Sequence, residues 1–108
     1  MNGMAQFVTT PGADAAPVLA VSGDLDISGV DEFLDHAERL VDAGAAEIEV
    51  DLGGVTFIDS SGLGAMVRLQ RTATAAGRQL WLSNVPRPVT RILELTGLTG
   101  LFTVRSES

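Results

Sequence analysis

The sequence predicts a single α/β domain with a mixed sheet of four to five strands and helices packed mainly on one face. Its length of 108 residues suits one domain. Short apolar segments of strand character alternate with longer segments of helical spacing, which is typical of parallel strands joined through helices. Residues 47–52 alternate strictly between apolar and acidic side chains, which indicates a strand with one buried and one solvated face.

The first two strands are predicted at residues 6–10 and 17–22, and we expect them to form an antiparallel hairpin. The Pro-Gly-Ala-Asp sequence at residues 11–14 supplies a turn between them. Pro11 and Pro17 fall at strand ends, where the missing amide hydrogen is tolerated. Ser28 is predicted to cap the first helix, with Asp31 three residues later as in a capping box, and Gly44 ends this helix.

The remaining segments continue the alternation. Residues 55–58 form a strand that leads into a second helix after Asp59, and Gly77 lies beyond the end of that helix. Residues 79–83 are the next strand, in which Trp81 is expected to pack in the core or on a sheet face. Pro88 suits the first turn of a third helix that Gly97 ends. Residues 101–104 account for the optional fifth strand at the edge of the sheet.

Composition and charge exclude several classes of function. The chain has no cysteine, which excludes disulfides and thiolate metal sites. Its net charge of −7 argues against nucleic acid as a partner, because an acidic chain repels a phosphate backbone. A bilayer span needs about 20 consecutive apolar residues, and no apolar run in the chain approaches that length. An export signal has a positively charged start, whereas the first basic residue here is Arg39. We therefore expect a cytoplasmic protein with no direct membrane insertion.

The strongest candidate site is the sequence Asp59-Ser60-Ser61-Gly62. It lies between a strand and a helix, at the carboxyl end of the strand, where open α/β sheets place their sites. Helix capping explains one polar residue, but not two hydroxyls beside Gly62 and Gly64, each of which costs up to about 1 kcal/mol in a helix relative to alanine. Close approach of another backbone would explain the glycines. A phosphate on Ser60 would meet unpaired backbone N–H groups at the positive end of the helix, which is a favourable place for it.

Two other kinds of site are weaker candidates. A hydrolase nucleophile lacks support because the glycine of a G-x-S-x-G elbow is missing before both serines, and the single histidine, His36, precedes them. Residues 24–35 imitate the spacing of an EF-hand calcium loop, but the last position is Asp35 rather than glutamate and the preceding segment is a strand. We expect no catalytic residue, no metal and no cofactor.

Residues 51–64, DLGGVTFIDSSGLG, closely resemble the signature of STAS domains, the module of bacterial anti-sigma factor antagonists and sulfate transporters. Residues 23–26 resemble the acidic turn before the first helix of this family. Residues 85–98 and 101–102 resemble its C-terminal helix and ending. The resemblance covers nearly the whole chain and implies one STAS domain over residues 1–108.

The resemblance implies a regulatory partner switch rather than an enzyme. In such antagonists the unphosphorylated protein binds an anti-sigma factor that is also a serine kinase, and the sigma factor is released. The kinase phosphorylates the serine after the aspartate, which matches Ser60, and a PP2C-type phosphatase reverses this reaction. We expect Asp24 and Asp26 to share this end of the sheet with Asp59. A phosphoserine would add about −1.5 to −2 charges beside these carboxylates, so docking should weaken.

The resemblance also implies which residues bind the partner. Asp26 is a natural mate for a partner arginine, and the full expected set is Asp24, Asp26, Asp59, Ser61, Gly62 and Leu63. The alternative role is that of an accessory subunit or domain of a lipid or anion transporter, because STAS domains also occur in those systems. The serine that follows Asp59 favours the switch.

Overall fold

In the computed structural model, residues 4–11 and 16–105 are described, and they form a five-stranded sheet with three α-helices. The strands are β1 Gln6–Pro11, β2 Pro17–Leu25, β3 Glu47–Ile58, β4 Gln79–Ser83 and β5 Thr103–Arg105. The helices are α1 Val30–Asp42, α2 Ser60–Ala75 and α3 Arg87–Thr96, and a 3-10 helix at Thr99–Leu101 precedes β5. The predicted α/β class is confirmed.

The strands lie side by side in the order in which they follow one another along the chain. β1 pairs antiparallel with β2, as the predicted hairpin requires, while β2, β3, β4 and β5 run parallel. Residues 12–14 of the predicted turn lie outside the described residues. Because β2 and β3 are parallel neighbours, their carboxyl ends meet at the same end of the sheet, and this end carries the candidate site.

β3 is one uninterrupted strand of 12 residues. The predicted segments 47–52 and 55–58 are therefore joined, and Gly53 and Gly54 continue the strand between them. A Cβ atom on Gly54 would lie 2.6 Å from the Cβ of Ser22 on β2. The absence of a side chain there allows β2 and β3 to stay paired as far as the candidate site.

The helices cover mainly one face of the sheet. Ile48, Val50 and Leu52 of β3 are completely buried, whereas Glu49 and Asp51 between them are partly exposed. This is the burial that the alternating sequence predicts. All three helices contribute to the same core, through Phe33, Ala37 and Val41 of α1, Leu63, Met66, Leu69 and Ala73 of α2, and Val89 and Leu93 of α3.

The opposite face of the sheet is held by polar and aromatic contacts. Ser83 on β4 donates a hydrogen bond from Oγ to Glu49 Oε2 at 2.6 Å. The guanidinium of Arg105 lies 3.9 Å from the centroid of the Trp81 ring, which is within the range of a cation–π contact. Trp81 is thus a sheet-face residue, as predicted, and it joins the short strand β5 to β4.

The predicted cap of α1 is wrong. The N-cap residue is Gly29, and no side chain caps this helix. The backbone N–H and the hydroxyl of Ser28 both donate to Asp26 Oδ1, at 3.0 Å and 2.7 Å. The aspartate two residues earlier therefore engages the serine in a local turn, and this interaction competes with helix capping.

The end of the chain differs slightly from its prediction. α3 ends at Thr96, and its C-cap Gly97 adopts a left-handed conformation with φ 73°, as expected of a glycine at this position. The segment predicted as a strand at residues 101–104 begins instead in the 3-10 helix, and β5 starts only at Thr103. Among residues 4–11 and 16–105, no helix has the length and apolar character needed to cross a membrane.

Candidate functional site

Asp59 holds the first turn of α2. Its backbone is extended, with φ −120° and ψ −170°, so the helix begins at the next residue. Asp59 Oδ1 accepts hydrogen bonds from the backbone N–H groups of Ser61 and Gly62, at 2.9 Å and 3.1 Å. These two N–H groups would otherwise have no partner inside the helix. Asp59 is therefore the N-cap of α2, in the geometry that favours aspartate at this position.

Ser60 is the first residue of α2 and is exposed, whereas Ser61 is partly buried. The hydroxyl of Ser60 is the more accessible of the two to a modifying enzyme. We expected a phosphate at this position to meet unpaired backbone N–H groups. Two of the N–H groups of this turn are already bonded to Asp59, so a phosphate on Ser60 would add negative charge beside a carboxylate.

The acidic turn after β2 lies against this helix start. Leu25 pairs with Ile58 in the sheet, and the N–H of Asp59 donates to Leu25 O at 3.5 Å. Asp24 Oδ1 accepts a hydrogen bond from Thr56 Oγ1 at 3.0 Å. The prediction that Asp24 and Asp26 share the end of the sheet with Asp59 is therefore confirmed.

The carboxylates of the acidic turn have separate partners. Asp24 binds the hydroxyl of Thr56, while Asp26 binds the N–H and hydroxyl of Ser28. Within the part of the chain that the structure describes, no three histidine or acidic side chains are grouped as metal ligands. The EF-hand spacing of residues 24–35 coincides with these local turns.

Three exposed apolar side chains surround the acidic turn, and sequence reasoning missed them. Ile27 is 73% exposed, Met4 is 80% exposed and forms a β-bridge with Asp24, and Phe57 is 49% exposed opposite Asp24 in the sheet. The sequence of β3 contains several apolar residues and does not indicate which of their side chains are exposed. We call the following residues together the Ser60 surface: Met4, Asp24, Asp26, Ile27, Phe57, Asp59 and Ser60.

Gly62 and Leu63 serve the fold instead of this surface. A Cβ atom on Gly62 would lie 2.3 Å from Leu25 O and 2.9 Å from Ile58 Cγ1, so only glycine lets α2 pack on the ends of β2 and β3. Leu63 is 6% exposed and belongs to the core. We expected these two residues to contact a partner directly. Neither presents a side chain at the surface, and the contact itself stays a prediction.

His36 lies among residues of α1 and β1. Its ring stacks on that of Phe7 with a centroid distance of 5.6 Å, and its Nε2 is 3.6 Å from Glu32 Oε2 one turn earlier in α1. The contacts of His36 are thus with a phenylalanine and a helical carboxylate. The geometry gives the hydrolase alternative no support.

Removal of the Asp59 carboxylate should destabilise the start of α2. We expect Asp59→Ala to lower the free energy of unfolding by about 1 kcal/mol, because two backbone N–H groups lose their acceptor. Asp59→Asn is the matched control, since its amide oxygen can still accept these bonds. Urea unfolding followed by circular dichroism measures both variants, and equal losses would mean that charge rather than capping determines the effect.

Comparison with known proteins is consistent with this architecture. The family model described as "Mlab, STAS domain" matches residues 8–104. The anti-sigma-B factor antagonist of Staphylococcus aureus (strain NCTC 8325 / PS 47) is 31% identical over 84 residues, which are 78% of each chain. Both the family model and this relative span most of the domain. The residues matched by the family model include the Ser60 turn.

Two solved structures have the same fold. An anti-sigma factor antagonist from Mycobacterium paratuberculosis superposes with a TM-score of 0.84 at 19% identity, over 96% of this chain and 87% of that chain. The Bacillus cell fate determinant SpoIIAA in its phosphorylated form gives a TM-score of 0.74 at 20% identity, over 95% and 92% of the two chains. Sequence and fold together establish that the chain belongs to the STAS domain family.

Proposed function

We propose that this protein is an anti-sigma factor antagonist that Ser60 phosphorylation switches off. Its unphosphorylated form binds an anti-sigma factor that is also a serine kinase, and the sigma factor is released. The kinase then phosphorylates Ser60, and a PP2C-type phosphatase restores the binding form. The protein acts in this cycle as a substrate rather than as an enzyme. The name of its Staphylococcus aureus relative supports the regulatory role.

The observation that carries this proposal is the position of Ser60. Its side chain is exposed at the first position of α2, beside the Asp59 carboxylate and within a surface that also presents Ile27 and Phe57. Exposed apolar side chains grouped at one end of a small domain are typical of a protein–protein contact. A modified hydroxyl inside such a contact controls it directly.

Electrostatics supplies the switch. A phosphoserine adds about −1.5 to −2 charges at pH 7. Asp59 is the preceding residue, and Asp24 lies on the neighbouring strand, so the new charge enters a region that is already acidic. A partner that places a neutral contact against Ser60 would then bury an uncompensated negative charge, which is strongly destabilising for a contact.

The fold tolerates the modification, because Ser60 is exposed and an acidic group at the first position of a helix is favourable. SpoIIAA in its phosphorylated form, a relative in fold, retains the same architecture. Phosphorylation should therefore change the surface of the domain and leave its core intact.

A kinase assay tests the proposal. Purified kinase-type anti-sigma factors of the source organism are incubated with the protein and ATP, and the product is examined by intact mass and peptide mapping. We expect one phosphate, on Ser60. Ser60→Ala should accept none, while the matched variant Ser61→Ala should be modified normally, since Ser61 is partly buried.

The opposite results are equally informative. A phosphate on Ser61, or on both serines, would refute the assignment of Ser60. Absence of both phosphorylation and complex formation with every kinase tested would favour the alternative role as an accessory subunit of a lipid or anion transporter.

A further inference from the structure

Gly64 is a glycine for which the fold gives no reason. It lies inside α2 and is exposed. Apart from its chain neighbours and the backbone of its own helix, no heavy atom lies within 4 Å of the position that a Cβ would occupy. The helix continues past it to Ala75, so it does not end the helix. Gly62, two residues earlier, differs completely, because a Cβ there would meet Leu25 O at 2.3 Å. The domain would thus accept alanine at position 64 and be stabilised by it.

Gly64 lies on the same side of α2 as Ser60. Positions four, seven and eleven residues after Ser60 fall close to one line along a helix, and these are Gly64, Val67 and Arg71. We call Ser60, Gly64, Val67 and Arg71 the α2 stripe. At 1.5 Å per residue it extends about 16 Å from the Ser60 surface. Gly64 is the one point of the stripe at which the helix backbone itself is open to contact.

The stripe changes charge along its length. Its first end adjoins Asp59 and the acidic turn, and its far end is the exposed Arg71. Arg68, on the adjacent line of the helix, is paired with Glu38 of α1 at 3.3 Å, whereas Arg71 has no ion-pair partner among residues 4–11 and 16–105. A partner segment that follows the stripe would carry a basic group at the acidic end and a carboxylate at the Arg71 end.

We infer that the kinase-type anti-sigma factor lays a segment of its own backbone across α2 at Gly64 and continues along the α2 stripe to Arg71. Glycine is the residue that permits such close approach of a second backbone. This inference rests on the proposed function, because it assigns the same partner a second region of contact. It extends the interface from the Ser60 surface to the exposed side of the helix.

Substitution of Gly64 separates folding from binding. Gly64→Ala should raise the melting temperature of the free domain and weaken the complex with the purified anti-sigma kinase by about tenfold or more in Kd. Gly100→Ala is the matched control: Gly100 lies in the 3-10 helix, is exposed, and also has nothing within 4 Å of its Cβ position. It should leave the Kd unchanged.

Reversing the charge of Arg71 tests whether the partner segment follows the α2 stripe. Arg71→Glu should weaken the complex, and the loss should shrink as salt is added. Arg91→Glu, a charge reversal at another exposed arginine on α3, should not change the Kd. Binding of Arg71→Glu at wild-type strength would overturn the path along the α2 stripe.

The outcomes distinguish this inference from the proposed function. If Gly64→Ala binds as tightly as wild type while Ser60→Asp does not bind, the switch stands and the backbone contact is refuted. If Gly64→Ala melts at a lower temperature than wild type, the glycine has a role within the fold and the inference is also refuted. If the wild-type protein binds no anti-sigma kinase, the proposed function fails together with the inference.

Discussion

Ser60→Asp should bind the anti-sigma factor about 100-fold more weakly than the wild-type protein. The added carboxylate would lie beside Asp59 and near Asp24, and the two N–H groups of this turn that Asp59 already occupies give it no further donors. Docking would bury this charge against a partner surface fitted to a hydroxyl. Isothermal titration calorimetry with the purified kinase in the absence of ATP measures the change.

The matched control is Ser60→Asn, which has nearly the same shape as Ser60→Asp but no charge. It should bind within about threefold of wild type if charge alone operates the switch. The difference in Kd between the two variants should become smaller as salt is added, because exposed charges are screened. Equal losses for both variants would mean that the size of the side chain, and not its charge, prevents docking.

Gly62→Ala should lower the free energy of unfolding by about 3 kcal/mol. The new methyl group would meet Leu25 O at 2.3 Å, and a backbone carbonyl cannot move aside as the end of a flexible side chain can. For a domain whose total stability is about 5–15 kcal/mol this is a large loss. Urea unfolding monitored by Trp81 fluorescence and by circular dichroism gives the value.

Gly64→Ala provides the internal reference for this measurement. It makes the same chemical change two residues along the same helix, where the space is empty, and should stabilise the domain by up to about 1 kcal/mol. Opposite signs for the two variants are therefore expected. If Gly62→Ala were as stable as the wild-type protein, α2 would be able to shift away from β2. Asp24 and Asp26 would then not be fixed relative to Ser60.

Much of the fold could be predicted from local patterns. The alternation in residues 47–52 identified the buried face of β3, and the hairpin followed from two apolar segments with prolines at their ends. The capping of α1 could not be predicted in the same way. Ser28 has the right residue type for a cap, but Asp26 binds it first, and nothing in the sequence ranks these two hydrogen bonds.

The candidate site was predicted in part. Asp59 and Ser60 were identified from their place between a strand and a helix, and the acidic turn from its resemblance to the STAS family. The exposure of Ile27 and Phe57 could not be predicted from the sequence, because the burial of an apolar side chain depends on what packs over it. Whether the serine is phosphorylated remains a proposal that the kinase assay tests.

The sequence by itself determined the class of fold, the position of Ser60 at a helix start and the acidic character of the turn after β2. These depend on spacing and residue type, which are local properties of the chain. Only the tertiary structure decided that Gly62 and Gly64, which look alike in the sequence, have different roles. Gly62 faces the carbonyl of Leu25, whereas Gly64 faces solvent, and this difference arises from how α2 packs on the ends of β2 and β3.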